Sequence, residues 1–229
     1  MFTNEGWKIM QISVAIDGPA GAGKSTIAKI IGEKFNLMYI NTGSMYRAVT
    51  LKAMNACISE NNVDELIKMV ESLEMHFEKE RLFVNDEDLT HMINMPIISN
   101  NVSKYAAVPE VREILVKQQK NMAKKFNVIM DGRDIGTVVL KDATFKFYLT
   151  ASSEERAKRR YEELISNAID VDYQTILNDI IKRDYIDTHR EFSPLRKAKD
   201  AIEIDSNDLD INGVAEKIIE YMNSKIKRK

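Results

Sequence analysis

Apolar, β-branched residues fill the stretch 9–16, with Ile12, Val14 and Ile16 spaced through it, and this pattern predicts a buried strand. Ile27, Ile30, Ile31 and Phe35 then recur at helical spacing over 26–35. A short apolar run at 37–40 reads as a second strand, which Asn41-Thr42-Gly43 breaks to open a helix over 44–56. Residues 61–72 suit a shorter helix with Asp64 and Glu65 near its start. The period then changes. Residues 73–78 and 81–84 alternate apolar and polar about a Lys79-Glu80 turn, predicting an antiparallel hairpin with 89–93 as a third strand. That two-residue period is foreign to the pattern on either side, so about 62–108 reads as an inserted subdomain.

Pro109-Glu110 opens a long helix through Ala123, with proline in its first turn. Residues 127–131 form an apolar strand ending in an acid, and 144–149 another core strand. Ser152 with Glu155 makes a capping box for a helix to about Ser166. Residues 172–183 and beyond read as helix, 201–205 as a last strand and 211–225 as a closing helix. Strands alternating with helices imply a parallel sheet joined by right-handed crossovers. The fold class is therefore α/β, a single domain over 1–229 that contains the insert.

Composition narrows the setting. The chain has 229 residues and a net charge of −2, which gives no global reason to bind nucleic acid or a membrane surface. No run approaches the roughly 20 apolar residues of a membrane span. Residues 1–8 lack the charged start and apolar core of a signal peptide and read as a loose leader, and 225–229 as a solvated basic tail. The single cysteine, Cys57, excludes an internal disulfide, fits a reducing cytosol and reads as a small apolar filler. His76, His91 and His189 are scattered without ligand spacing, so no zinc site is expected. There is no internal repeat.

The chemistry begins between the first strand and the first helix. Gly18-Pro19-Ala20-Gly21-Ala22-Gly23-Lys24-Ser25 fits the phosphate-cradling pattern G-x-x-x-x-G-K-[ST] in its strand–turn–helix context. Its glycines let backbone N–H groups converge without Cβ interference, and the helix start adds its positive dipole end. Lys24 can reach the β- and γ-phosphates of a nucleoside triphosphate, and the Ser25 hydroxyl can ligate Mg²⁺. A P-loop core follows.

Two further segments fall at the carboxyl ends of predicted strands, where ligands sit in open α/β sheets. In Asp131-Gly132-Arg133-Asp134, Asp131 resembles a Walker-B acid that holds Mg²⁺ directly or through water. Arg133 offers a fork matched to phosphate oxygens, and Asp134 an acceptor for a base or sugar donor. In Thr42-Gly43-Ser44-Met45-Tyr46-Arg47, Thr42 can donate and accept, Tyr46 can pack, and Arg47 can grip an anion. Arg156, Arg159 and Arg160 share one helical face, read either as a solvated, salt-bridged surface or as a lid over the transferring phosphoryl group. Arg183, Asp187 and Arg190 repeat that spacing, and Arg112 follows Pro109.

An alcohol acceptor benefits from a base to take its proton, whereas a phosphate acceptor is already anionic and needs cations instead. Arg47 and Arg133 beside Lys24 look like provision for a second phosphate, which favours a nucleoside monophosphate. A kinase for UMP, AMP or an alcohol remains an alternative, as does a nucleotide-dependent switch, although no N-K-x-D guanine-reading motif occurs.

The P-loop stretch from Ile16 to Ser25, the Thr42–Arg47 and Asp131–Thr137 segments, and Arg183-Asp184 through Pro194-Leu195 together resemble bacterial cytidylate kinases. The resemblance covers nearly the whole chain. It implies ATP- and Mg²⁺-dependent phosphorylation of CMP or dCMP by a cytosolic, monomeric enzyme. It also implies an enlarged monophosphate-binding insert, matching 62–108, and a short helical lid at about 153–170. Carried over by match, Gly18 to Thr26 with Lys24 would hold the ATP phosphates, and Arg156 and Arg160 would belong to the lid. Arg47 and Arg133 would grip the CMP phosphate, with Tyr46 lining that pocket. Thr42, Arg112 and Asp134 would read the cytosine edge, and Asp187 would bind ribose. Arg183 and Arg190 would bind the acceptor or the phosphates; Lys24, Arg133, Arg160 and Arg190 are the catalytic candidates. Ile186 stands where a further arginine occurs in some relatives.

Overall fold

In the computed structural model, which describes residues 11–226, strand β1 (Ser13–Asp17) runs up the middle of a five-stranded parallel sheet. It is buried on both faces. Val14 and Ile16 enter one core with Ile27, Ile31, Phe147, Leu149 and Ile218, while Ala15 enters the other with Ile40, Met130 and Val111. A continuous apolar run is what a strand covered by helices on both sides requires.

The chain leaves β1 through the glycine-rich turn into helix α1 (Lys24–Phe35), returns as β2 (Met38–Asn41) and enters α2 (Thr42–Asn55), which Asn41 caps through Ser44 N–H at 2.9 Å. Helix α3 (Val63–Glu71) leads to the antiparallel hairpin β3 (Met75–Glu78) and β4 (Arg81–Val84), to which the two-residue β5 (Glu87–Asp88) adds. Helices α4 (Pro96–Ala107) and α5 (Pro109–Ala123) follow. Then come β6 (Val128–Gly132), a single wide π-helical turn at Ile135–Val139, and β7 (Phe145–Thr150). An antiparallel helix pair, α6 (Ser153–Ser166) and α7 (Tyr173–His189), precedes β8 (Ile202–Asp205) and α8 (Ile211–Ile226).

The sheet order β2-β6-β1-β7-β8 brings the carboxyl ends of β1, β2 and β6 together. In the parallel register Asp17 lies beside Gly132, and Asn41 beside Asp131. The P-loop, the Thr42 segment and the Asp131–Asp134 segment therefore open onto one crevice.

Two expectations are corrected, at 89–93 and at Cys57, and one element was not foreseen. Residues 89–93 do not form a third strand: Leu89 and Ile93 are buried under the hairpin, but the chain turns there and continues as a 3₁₀ turn at Met92–Asn94. The insert holds a full helix, α4, in a Ser/Asn-rich stretch, with Pro96 in its first turn and Ile98, Val102 and Tyr105 buried. Cys57 is exposed, in a left-handed turn (φ 56°) past the end of α2, where its side chain meets solvent rather than core. The leader at 1–8 lies outside the described residues, as does most of the basic tail.

Candidate functional site

The turn after β1 is shaped by positive φ at Gly18, Gly21 and Gly23, and α1 starts at Lys24 with Gly23 at its cap. Ala20 through Ser25 line the crevice; Gly18 and Pro19 are buried beneath it, and Thr26 faces solvent on the first turn of α1. Lys24 is buried and its Nζ donates to Pro19 O at 2.6 Å. Burial lowers the Lys24 pKa well below its ordinary value, and Arg133 nearby adds to that, against the pull of Asp131.

From β6, Asp131 accepts a hydrogen bond from the Tyr39 hydroxyl at 2.8 Å, and its backbone carbonyl accepts one from Thr42 Oγ1 at 2.7 Å. Burial raises the Asp131 pKa while Lys24 opposes the rise. Asp134 receives Arg112 Nη2 at 2.6 Å in a pair almost wholly removed from water, and the Arg112 guanidinium also lies over the Tyr46 ring, 5.0 Å from its centroid. Arg133 Nε donates to Asp187 Oδ2 at 2.8 Å, and Arg190 approaches Asp134 at 3.8 Å and Asp187 at 3.7 Å.

Six cationic side chains thus line the crevice (Lys24, Arg47, Arg112, Arg133, Arg183, Arg190) against three carboxylates (Asp131, Asp134, Asp187). Burial lowers the pKa of Arg47 and, to about 10, that of Arg183, with Arg133 adding to both. Arg47 Nε, Arg183 Nε, Arg190 Nη2 and the Tyr46 hydroxyl are buried without a hydrogen-bond partner. Crowded cations with nitrogens left unbonded favour a bound anion, since it relieves both their repulsion and their desolvation.

Of the residues singled out in the sequence, Thr42, Tyr46, Arg47, Arg112, Asp131, Arg133, Asp134, Arg183, Asp187 and Arg190 all meet in this crevice with Lys24 and Ser25. Two do not. Arg160 points outward and pairs with Glu163 at 2.8 Å, with nearly half its side chain exposed. Arg156 is buried behind the P-loop, where each of its guanidinium nitrogens meets a protein oxygen. Both sit on α6, and helical spacing alone does not say which way such a face turns.

Sequence reasoning missed Ser103 on α4, which lines the crevice, because α4 itself was not foreseen. It also assigned no role to Asp17. This buried acid ends β1 and accepts Ile135 N–H at 2.8 Å on one oxygen and Gly136 N–H at 2.7 Å on the other, pinning the segment that carries Arg133 and Asp134. Burial raises its pKa to about 7, against those two hydrogen bonds and Lys24. Asp17→Asn sets an amide NH₂ against one of the two backbone donors. The expected loss is about 1–3 kcal/mol of stability, the cost of a buried unsatisfied donor, read by urea denaturation; an unchanged midpoint would refute the pinning role.

The profile of the family described as cytidylate kinase matches residues 14–224. The chain is 66% identical over 211 residues to a cytidylate kinase of Clostridium perfringens strain SM101, covering 92% of this chain and 97% of that one. It is 61% identical over 217 residues to the cytidylate kinase of Clostridium acetobutylicum, covering 95% of this chain and all of that one. Among solved structures, an uncharacterised protein from Eubacterium ventriosum aligns with a TM-score of 0.52 at 18% identity, over 93% of this chain and 99% of that one, a likeness of fold.

Proposed function

The chain belongs to the cytidylate kinase family, and from that membership we infer that its crevice is where the γ-phosphoryl group of ATP passes to CMP or dCMP. The observation that carries the site assignment is the set of buried guanidinium nitrogens left without partners at Arg47, Arg183 and Arg190. All three residues line a crevice bounded by the P-loop on one side and the Asp131–Asp134 segment on the other.

On this reading the loop amides from Gly18 to Thr26, with Lys24, hold the ATP phosphates. Arg47 and Arg133 grip the CMP phosphate, and Arg183 and Arg190 neutralise charge where the two anions meet. All three crevice carboxylates are already engaged, Asp131 by Tyr39, Asp134 by Arg112 and Asp187 by Arg133. The reaction therefore proceeds without a general base, as suits a phosphate acceptor. Arg112 and Asp134 present a donor beside an acceptor to the base edge, with the hydroxyls of Thr42 and Ser103 nearby. Cytosine offers the complement, an exocyclic amine beside ring acceptors. Asp187 is placed to accept a ribose hydroxyl. The stretch 62–108 serves as the monophosphate-binding insert and the α6–α7 pair as the lid.

No cluster of three or more His, Cys, Asp or Glu is gathered for a metal among the described residues. This suits Mg²⁺, which keeps water and substrate phosphate ligands and asks little of the protein. Ser25 and Asp131 line the crevice and would hold the ion, which when bound supplies charge neutralisation at the phosphate oxygens. No helix among the described residues is long and apolar enough to cross a membrane. A cytosolic monomer accompanies the proposal, on the strength of the family membership alone.

An acceptor panel under saturating ATP tests the reading. CMP and dCMP are expected to outrun UMP by about 100-fold or more in kcat/KM, since uracil turns an acceptor toward Asp134 and leaves buried groups unpaired. Preference for AMP or for an unphosphorylated alcohol would overturn it.

A further inference from the structure

A phosphate cradle works only if its amides are held in place before the anion arrives, and here the apex of the loop is held from outside the crevice. Ala20 O accepts Arg156 Nη1 at 2.8 Å, and Ala20 N–H points to Asp184 Oδ1 at 3.4 Å. Arg156 Nη2 and Asp184 Oδ2 close the ring at 2.6 Å. The same guanidinium is fixed at its root, its Nε donating to Ala151 O at 3.0 Å and Ser152 O at 3.2 Å, where β7 passes into α6. The side-chain stem lies against the loop as well: a Cβ on Gly21 would sit 3.4 Å from Arg156 Cβ.

Neither residue lines the crevice, and each guanidinium nitrogen of Arg156 already meets a protein oxygen. Yet one belongs to α6 and the other to α7, so a single ion pair ties both helices to the backbone N–H and C=O of one P-loop residue, Ala20. We propose that Arg156 and Asp184 form a clasp that presets the P-loop for the triphosphate and couples it to the position of the lid helices. They are positioning residues, acting through Ala20 on ATP. This rests on the crevice being the ATP–CMP site.

Charge alone does not account for the arrangement. Arg159, one turn along α6, directs its hydrogen bonds to Glu155 and Ser206 rather than to the loop. A lysine at 156 would keep the charge but could not reach Ala151, Ala20 and Asp184 together, since its three donors leave from one nitrogen whereas the guanidinium spreads its donors over three.

The test compares KM for ATP, KM for CMP, kcat, ATP affinity by calorimetry, and thermal midpoint across the parent, Asp184→Asn, Arg156→Lys and the double variant. The clasp predicts KM and Kd for ATP raised about tenfold in either single variant, the low end for loss of an orienting partner. KM for CMP should stay within about twofold, and the double variant should be no worse than the poorer single one. Equal changes for ATP and CMP, a lowered midpoint with ATP affinity unchanged, or additive losses in the double variant would each overturn it. Asp184→Asn keeps the shape and one acceptor; should it fail to fold, Arg156→Lys carries the same comparison. A parent that binds no ATP would instead defeat the underlying reading of the crevice, and the two failures are thereby distinct.

Discussion

Arg133→Ala lowers kcat/KM for CMP by about 10²- to 10³-fold, the loss that follows removal of one preorganised donor to developing charge. Its half-buried guanidinium lines the crevice with Lys24 and Arg47, held by Asp187 at 2.8 Å. Burial works against its charge, but Asp187 and Asp131 outweigh that and raise its pKa, so it stays cationic throughout the working range. The same position lowers the pKa of Lys24, Arg47 and Arg183, and this crowding of cations is tolerable in the folded protein because anionic substrates are to arrive there. Removing Arg133 leaves Asp187 with Arg183 and Arg190, so the fold survives while the phosphate loses its fork. Arg133→Lys should fall between, keeping charge and losing the bidentate geometry. Steady-state kinetics with circular dichroism decides the matter; turnover of CMP near the parental rate would remove Arg133 from the phosphate grip.

What made this site legible in the sequence was locality. The P-loop, the Thr42–Arg47 segment and the Asp131–Asp134 segment are each short, each follows an apolar strand, and parallel topology forces such strand ends to one edge. The parts that stayed hidden depend on partners far along the chain. Helix α4 is written largely in serine, asparagine and β-branched residues, poor helix formers, and it exists because Ile98, Val102 and Tyr105 are buried in the core that α2 and α5 share. Ser103 was hidden with it. Asp17 looked like the tail of a strand, and only the fold shows its carboxylate reaching across to Ile135 and Gly136. The arginines of α6 carried the right spacing for a shared face, yet Arg156 turns inward beneath the loop and Arg160 outward to Glu163. Rotation of a helix about its axis is settled by packing, here of Ala157 against Ile176 and Ile180, and not by charge pattern.

Gly18→Ala should be more damaging than any substitution within the crevice, although Gly18 does not line it. A Cβ at this position would lie 2.1 Å from Leu149 O, and the residue sits at φ +148°, which side chains rarely adopt. Neither strand can yield: β1 and β7 are paired through Asp17 and Tyr148, next to both offending atoms, and both are buried in the sheet. Overpacking costs about 1–3 kcal/mol and the forced backbone a further 1–3 kcal/mol. Together these come to about 2–6 kcal/mol, enough to unfold a domain at the lower end of ordinary stability. Gly23→Ala is the matched control. Its φ of +78° is also unfavourable, but a Cβ there meets nothing within 4 Å, so only the backbone cost applies. The expected order in urea midpoint is parent, then Gly23→Ala, then Gly18→Ala far below or insoluble. The motif's first glycine is therefore required by the neighbouring strand's carbonyl before any phosphate is considered, and a Gly18→Ala protein as stable as Gly23→Ala would refute that.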